Sequence, residues 1–479
     1  MPDITVAFLG KCAERDEAHV PLGPLYIVAA IEKAGFSVDF KDYQLVHELN
    51  PFNVETATEF LAESTEILAV GCMANMLPLA VKALERVKAK NPNKIVILGG
   101  PGATGVGKGL ITHFPHIDYV IEGEGEVAAV SLVKVLISGR GGFEDIDALV
   151  FRKNGKVQVN PRRSFINNLD ELPFPAYYKL DPSQYDRVHL ITTRGCPFSC
   201  TFCDIAPMWG RRVRKRSLSN VVKELDLLRE LFGEREIGIE DDTFVFDRKR
   251  VLKFCHLLKK SEHRFLWSVW ARIDMVDLDL MQTMANSGCF QVKFGIESGA
   301  DNVLKQISKG YEASDILPNL RLANEIFEQT ICFFMWGFPF ESFHDFLQTL
   351  FLLYRIKSEF QKRLYDGSFE YLWFQVGAFP NSELYRSFEK DKLLFDPDMV
   401  SLIFTYSEEL HKMTLLRMAT AKQQKEFENL VQNHPDVFSA FYHYPTPDIV
   451  KKRRLIDNFI YRRGTKEIAI DNDTVKVES

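Results

Sequence analysis

At 479 residues the chain is too long for one ordinary domain and suits two or three, and its 46 % apolar and 26 % charged residues are those of an average globular protein. With 59 basic against 65 acidic side chains the formal charge is −6, so no global positive field favours nucleic acid. No uninterrupted apolar stretch reaches the ~18 residues of a membrane span, and eight cysteines without a disulfide framework predict a reducing compartment, the cytoplasm.

The opening Met1-Pro-Asp-Ile-Thr-Val-Ala-Phe-Leu-Gly10 lacks a basic n-region and reads as a first strand rather than a signal peptide. Up to about residue 140 the chain alternates. The predicted elements are strand Ile4–Leu9, helix Leu25–Ala34 closed by Gly35, strand Ser37–Phe40 ending at Asp42, and buried strand Ile67–Val70. A helix from about Pro78 to Ala89, strands Ile95–Leu98 and Tyr119–Ile121, and helix Val127–Ile137 follow. This alternation predicts a doubly wound, Rossmann-like parallel sheet, which takes ligands at the C-terminal ends of its strands. Those ends are Gly71-Cys-Met-Ala-Asn-Met76, Leu98-Gly-Gly-Pro-Gly-Ala103 and Ile121-Glu-Gly-Glu-Gly-Glu126. Small residues there let backbone approach a ligand, although tight turns use the same residues.

Residues 141–185 read as a linker. Leu149–Arg152 and Lys156–Val159 are joined through Asn154-Gly155, the turn pair of a β-hairpin, and Leu172-Pro-Phe-Pro-Ala176 is extended because each proline restrains its predecessor. Strand–helix alternation resumes over 186–395, with strands near 189–193, 236–240, 267–272, 291–296, 331–336 and 371–377. Residues 396–479 are poor in motifs. They predict an amphipathic helix at Leu415–Val431, a basic one at Asp448–Tyr461, and a frayed tail from Gly464.

The most telling run is Arg194-Gly-Cys196-Pro-Phe-Ser-Cys200-Thr-Phe-Cys203, hung off the first strand of the second alternating region. Its spacing puts three thiolates within reach of three corners of a cubane iron–sulfur cluster and leaves the fourth iron without a protein ligand. Clusters that only carry electrons are normally held by four cysteines. A structural zinc site wants four ligands at fixed spacing, and the nearest candidates are His189 at the far end of the preceding strand and the distant Cys255.

The Cys-x3-Cys-x2-Cys run with the aromatic Phe202 resembles the radical S-adenosylmethionine (SAM) superfamily, in which the open iron chelates SAM. Together with the Gly-rich strand ends, the "GGP" and "GEGE" loops and Pro21-Leu-Gly23, it resembles the cobalamin-dependent radical SAM enzymes over about residues 1–395. The resemblance implies an α/β protein: a cobalamin-binding domain (1–140), the linker, a partial (β/α)6 radical SAM barrel (186–395) and a small, mainly helical C-terminal region that caps the substrate. It implies Cys196, Cys200 and Cys203 as ligands of a [4Fe-4S] cluster. For SAM it implies Phe202, Arg272 on the carboxylate, Glu297 and Ser298 of the Gly295-Ile-Glu-Ser-Gly299 motif, and Gly337 at the adenine. Asp241 and Asp242 would take the SAM ammonium, or else cap the next helix.

For cobalamin the implied residues are Gly23 and Leu25 before and in the first helix, and Gly71, Asn75, Met76 and Leu77 by the lower corrin face. Gly99, Gly100, Pro101 and Gly102 of the "GGP" loop, with Glu124 and Gly125 of the "GEGE" loop, complete the set. No Asp-x-His-x-x-Gly motif supplies a histidine to cobalt, so His19, His47, His113 and His116 read as surface or loop residues. The basic run Arg211–Arg216 lacks interleaved aromatics and reads as a solvated or anion-pairing segment. Lys309-Gly310 reads as a helix C-cap. Phe379-Pro-Asn-Ser-Glu-Leu-Tyr385 departs from the family's "PGT" with Asn381-Ser382, a turn asparagine keeps.

The implied activity is methyl transfer to an unactivated carbon through a 5′-deoxyadenosyl radical and methylcobalamin. The substrate would be a small molecule, lipid or peptide, with a reductant such as flavodoxin or ferredoxin and no nucleic acid. Rearrangement, cyclisation or oxidation on the same scaffold is the alternative. A tRNA methylthiotransferase would want further cluster cysteines than Cys12 and Cys72, and a non-catalytic cobalamin sensor would need neither Arg272 nor Glu297.

Overall fold

Short β-branched runs separated by amphipathic stretches can bury both faces only as a parallel sheet under helices. The computed structural model, which describes residues 1–10, 18–46, 52–395, 420–460, 468–471 and 474–477, builds that sheet first. Its elements are β1 (Ile4–Leu9), α1 (Leu22–Lys33), β2 (Val38–Asp42), α2 (Val54–Ala62), β3 (Ile67–Cys72), α3 (Leu77–Lys90), β4 (Ile95–Gly99), α4 (Gly107–His113), β5 (Tyr119–Ile121) and α5 (Glu126–Ser138). The order β2-β1-β3-β4-β5 is parallel throughout and changes direction between β1 and β3, which opens a ligand crevice at their C-terminal ends.

Three differences from expectation have local causes. Helix α1 starts three residues early, because Pro24 sits in its first turn, where a missing N–H costs no helical bond. Helices α2 and α4 were not among the expected elements; α2 is started by Asn53, whose side chain accepts from the amides of Glu55 and Thr56. The hairpin β6 (Leu149–Lys153) and β7 (Lys156–Val159) forms as the Asn-Gly pair predicts, with both turn residues at positive φ (49° and 73°). It is not a free linker: β6 pairs antiparallel with β5 and extends the sheet to seven strands.

The second sheet is a monotonic parallel array, β8-β11-β12-β13-β14-β15, the order of an open barrel. Its elements are β8 (Val188–Leu190), β9 (Thr193–Arg194), α6 (Ile205–Trp209), β10 (Arg214–Lys215), α7 (Leu218–Phe232), β11 (Ile237–Ile239), α8 (Arg248–Lys260), β12 (Trp267–Ala271), α9 (Leu278–Ala285), β13 (Cys289–Glu297), α10 (Asp301–Gln306), α11 (Ile316–Ile326), β14 (Gln329–Trp336), α12 (Phe343–Glu359), α13 (Gln361–Tyr365) and β15 (Phe369–Gln375). The single strand expected over 189–193 breaks into β8 and β9, the latter pairing with β10. The open edge of β8 is met by residues 18–20 of the first domain: Val20 N donates to Arg187 O (3.1 Å) and Arg187 N to Ala18 O (3.2 Å).

The remainder comprises α14 (Glu383–Ser387), β16 (Leu394–Phe395), α15 (Ala421–Asn433), β17 (Tyr442–His443), α16 (Ile449–Ile460) and the hairpin β18 (Ile468–Asp471) and β19 (Thr474–Val477). Of the helix expected over 415–431, residues 415–419 lie outside the described residues, as does Tyr461 at the end of the other. Within the tail expected to fray, the described residues pair as antiparallel strands instead, consistent with their alternating Ile468, Ile470, Val475 and Val477. One contiguous cluster of buried side chains runs through both sheets.

Asp42 at the end of β2 is buried and accepts from the Gln44 amide (3.0 Å) and Tyr185 Oη (2.9 Å). Burial raises its carboxyl to about 6, against the opposing effect of those bonds. A folded pKa above the unfolded 3.8 means that the stability it contributes is full below pH 4 and lost as pH rises through 6. Asp42→Asn is therefore expected to flatten the fall in stability between pH 4 and 7 by about 2–3 kcal/mol, read by denaturant unfolding of both proteins across that range.

Candidate functional site

The crevice opened by the strand-order reversal is a cavity of about 670 Å³, lined almost wholly by apolar groups. Gly23, Gly71, Asn75, Leu77, Gly99, Gly100, Pro101, Gly102 and Gly125 all line it. Two of the glycines are required by space. A Cβ on Gly102 would lie 2.7 Å from Met73 C, and one on Gly100, at φ +84°, would lie 3.0 Å from Cys72 O. Asn75 Oδ1 is buried at the wall with no hydrogen-bond partner, a polar atom awaiting a ligand. A large, flat, mostly apolar group with polar substituents, as a corrin is, fits this lining.

Leu25, Met76 and Glu124 do not line the cavity. Leu25 and Met76 are 0 % and 1 % exposed within the core, and Glu124 turns the other way, to two arginines. Gly102→Val is expected to weaken cobalamin retention about tenfold or more, an overpacking cost of order 1.4 kcal/mol, with iron content unchanged. Absorbance of the reconstituted protein checks both.

The cavity continues into the second domain, where Arg194, Asp204, Ile205 and Trp209 form its wall. These residues flank the cysteine loop, so the loop's back faces the same space as the glycine cradle. The three thiols ring a separate small cavity of about 40 Å³ with Phe198, Arg211, Asn381, Glu383 and Arg386. Among the described residues no three His, Cys, Asp or Glu side chains converge as ligands of one ion would. Three thiols around a common space suit three corners of a larger cluster. The loop is fixed by its backbone: Thr201 N donates to Ile307 O (3.1 Å), Leu384 N to Thr201 O (2.7 Å), and Gly195 holds φ +99° with Arg212 O where a Cβ would stand. Burial pushes the Cys196 and Cys203 thiols up, so ligation must supply the charge that makes them thiolates.

The residues expected around SAM lie at the strand ends, with partners the sequence did not reveal. Arg272 is 7 % exposed, bonds Asp274 in bidentate fashion (3.0 and 2.9 Å) and lies 3.9 Å over the ring of Phe198 in the cysteine loop. Glu297, at φ +68°, pairs with Lys309 Nζ (2.7 Å); Lys309, read as part of a C-cap, also bonds Leu304 O through its amide (2.9 Å). Ser298 Oγ meets Thr349 Oγ1 (2.9 Å) and accepts from the Ala300 amide (3.1 Å). Phe202 packs edge-on to Phe338, one residue from Gly337, which holds φ +87°.

Asp241 and Asp242 cap no α-helix and line neither of the two cavities described above. Asp247 caps α8, accepting from Arg250 N (3.1 Å). Asp241, 1 % exposed, accepts from the amides of Thr192 (2.6 Å) and Thr193 (2.9 Å) and from Thr192 Oγ1 (2.5 Å), and so replaces the ladder bonds that end at β8. Asp242 accepts from Gly195 N (2.9 Å); burial raises its carboxyl to about 7. Both brace the strand that carries the cysteine loop.

Four charges link that strand to the first domain. Arg194 bonds Glu124 (3.1 Å) and Glu126 (2.5 Å), and Arg214 bonds Glu124 (2.6 Å), all of them 5 % exposed or less. Arg194 is sandwiched between Tyr26 (5.1 Å) and Trp209 (4.9 Å). The basic run is thus anion-pairing as expected, with Arg216 on buried Glu224 and Lys215 on Asp247 (2.5 Å). Asn381, where the sequence departs from the family, donates to Thr104 O (3.0 Å) in the first domain. Sequence reasoning missed His189 and Glu240, which line the large cavity. Of the histidines read as surface or loop, His47 is outside the described residues and His116 is 9 % exposed. His19 stacks on His189 with Nδ1 and Nε2 2.9 Å apart, and burial and that neighbour push it down to about 3.

Comparison with known proteins matches both halves. A model of the B12 binding domain matches residues 11–133, and one of the radical SAM superfamily residues 190–353. The chain is 30 % identical over 372 residues to an uncharacterized methyltransferase of Pyrococcus horikoshii, covering 74 % of this chain and 77 % of that one. It is 23 % identical over 453 residues to the anaerobic magnesium-protoporphyrin IX monomethyl ester cyclase of Cereibacter sphaeroides, covering 91 % and 70 %. Among solved structures, the cobalamin-dependent S-adenosylmethionine radical enzyme OxsB superimposes with a TM-score of 0.67 at 17 % identity, over 95 % of this chain and 66 % of that one.

Proposed function

Since the chain belongs to the cobalamin-dependent radical SAM enzymes, we propose that it methylates an unactivated carbon of a small-molecule, lipid or peptide substrate. When bound, the [4Fe-4S] cluster with SAM supplies a hydrogen-abstracting radical and cobalamin supplies a transferable methyl group. The observation that carries the reading is the single apolar cavity whose wall includes both the glycine cradle and the flanks of the cysteine loop. A substrate held against that wall would lie beside the corrin cradle and the flanks of the cysteine loop, and the apolar lining keeps water from quenching a radical.

The protein's part is to bind and orient. Cys196, Cys200 and Cys203 would hold the cluster, and the Gly99–Gly102 loop with Asn75 would hold the corrin. Arg272 would reach the SAM carboxylate, with its guanidinium steered by Asp274 and Phe198. Ring formation or oxidation is the second reading, favoured by a cyclase relative that aligns over 91 % of the chain.

Methyl-deuterated SAM separates them. The anaerobic holoenzyme is incubated with reductant and a metabolite extract of the source cells. Methyl transfer yields S-adenosylhomocysteine and 5′-deoxyadenosine in equal amounts and a product carrying the heavy methyl. 5′-Deoxyadenosine without S-adenosylhomocysteine would reject methyl transfer in favour of the second reading.

A further inference from the structure

We propose that Lys452, on the C-terminal helix α16, is a positioning residue for the loop that follows β14 and faces SAM. The inference rests on the reading of Gly337 as an adenine contact and assigns a task to a part of the chain whose sequence carries no motif.

Lys452 is 0 % exposed, and its ammonium has three acceptors to satisfy its three protons: Glu341 O (2.8 Å), Glu341 Oε2 (2.9 Å) and Thr446 Oγ1 (2.7 Å). Glu341, also 0 % exposed, accepts the backbone N–H of Gly337 on that same Oε2 (2.9 Å). One side chain, more than a hundred residues downstream, therefore grips both the backbone and the carboxylate of Glu341, and through it the amide of the residue at φ +87°. Next along the helix, Arg453 Nη2 donates to Gln375 Oε1 (3.2 Å) at the end of β15. The Gln375 side chain stands 3.0 Å from where a Cβ of residue 337 would be. The helix is delivered to this place by backbone pairing: Ala378 N donates to Tyr442 O (3.0 Å), and β17 pairs with β16.

For stability alone, an apolar pair of similar volume would serve as well as a buried ion pair. What the charges add is direction: they fix where the Glu341 carboxylate points, and hence where the Gly337 amide is held. Position transmitted through one such contact is worth about tenfold in affinity at the neighbouring site.

The test uses the anaerobic, reconstituted full chain and measures reductive cleavage of SAM to 5′-deoxyadenosine without added substrate. Lys452→Met is expected to raise the KM for SAM about tenfold, with iron content, cobalamin content and the rate at saturating SAM close to wild type. Thr446→Val, which removes one acceptor and leaves the ion pair, is expected to shift KM in the same direction by a smaller factor while folding normally. A KM within twofold of wild type in both variants would overturn the proposal. So would a loss of SAM affinity that only follows equal losses of iron and cobalamin, the mark of a merely structural role. If wild type itself failed to cleave SAM, the functional reading would fall as well, whereas normal cleavage with unaltered variants sinks this inference alone.

Discussion

Changing any one of Cys196, Cys200 and Cys203 to alanine is expected to bring 5′-deoxyadenosine formation down to background, a loss of more than about 10³-fold, while cobalamin content stays near wild type. No other described thiol can stand in. Cys72, Cys255, Cys289 and Cys332 are all buried on other elements, away from the loop. The two cofactor regions are also built from different strands, the thiols on the loop after β9 and the glycine cradle after β3 and β4, so losing one leaves the other its own scaffold. Iron analysis, absorbance of bound cobalamin and chromatography of the nucleoside product separate the two effects. Alanine variants that keep both their iron and SAM cleavage would remove the basis of the functional reading.

What the sequence made legible is what local chemistry dictates. Continuous apolar runs such as Ile95–Leu98 and Tyr119–Ile121 have one way to bury both faces, and Asn154-Gly155 has one favoured turn, so these elements stand where the sequence pattern puts them. Glycines were legible as a group because a backbone that must touch a ligand tolerates no Cβ, as Gly102 illustrates. Partners across long sequence distances were not legible. Nothing local shows that Asp241 binds the Thr192 and Thr193 amides rather than a ligand's ammonium, or that Glu124 faces Arg194 and Arg214 rather than a corrin. A carboxylate at a strand end has the same local sequence in either role, and only the tertiary fold decides which cation reaches it first. Helices α2 and α4 escaped because they are short, nine and seven residues, too few for a periodic pattern to stand out. His189 and Glu240 escaped as cavity residues because only the tertiary fold brings edge strand β8 and the end of β11 against the first domain.

The second large effect is expected at the four-charge link between the domains. Burial alone would make the Arg194 guanidinium easier to deprotonate, yet the carboxylates of Glu126 and Glu124 overcome this and raise its pKa. Such a group is stable only with its partners. Arg194→Met leaves two buried carboxylates facing one arginine, Arg214, and should cost about 3–5 kcal/mol, seen as a fall in Tm of about 3–5 °C in a chain of 479 residues. The consequence for function follows from position: Arg194 is two residues before Cys196, and Glu124 and Glu126 belong to the loop whose Gly125 lines the large cavity. The link thus joins the strand before the thiol loop to the loop that helps form the glycine cradle. On the methyltransferase reading proposed above, Arg194→Met should keep iron and SAM cleavage in the folded fraction but lower the ratio of methylated product to 5′-deoxyadenosine. A double-mutant cycle tests whether the pair itself is responsible. Glu126→Gln in the Arg194→Met background should restore part of the lost Tm, because it removes the charge left unpaired. Strictly additive losses, or an unchanged product ratio, would show that the network only stabilises the fold and does not align the two halves of the site.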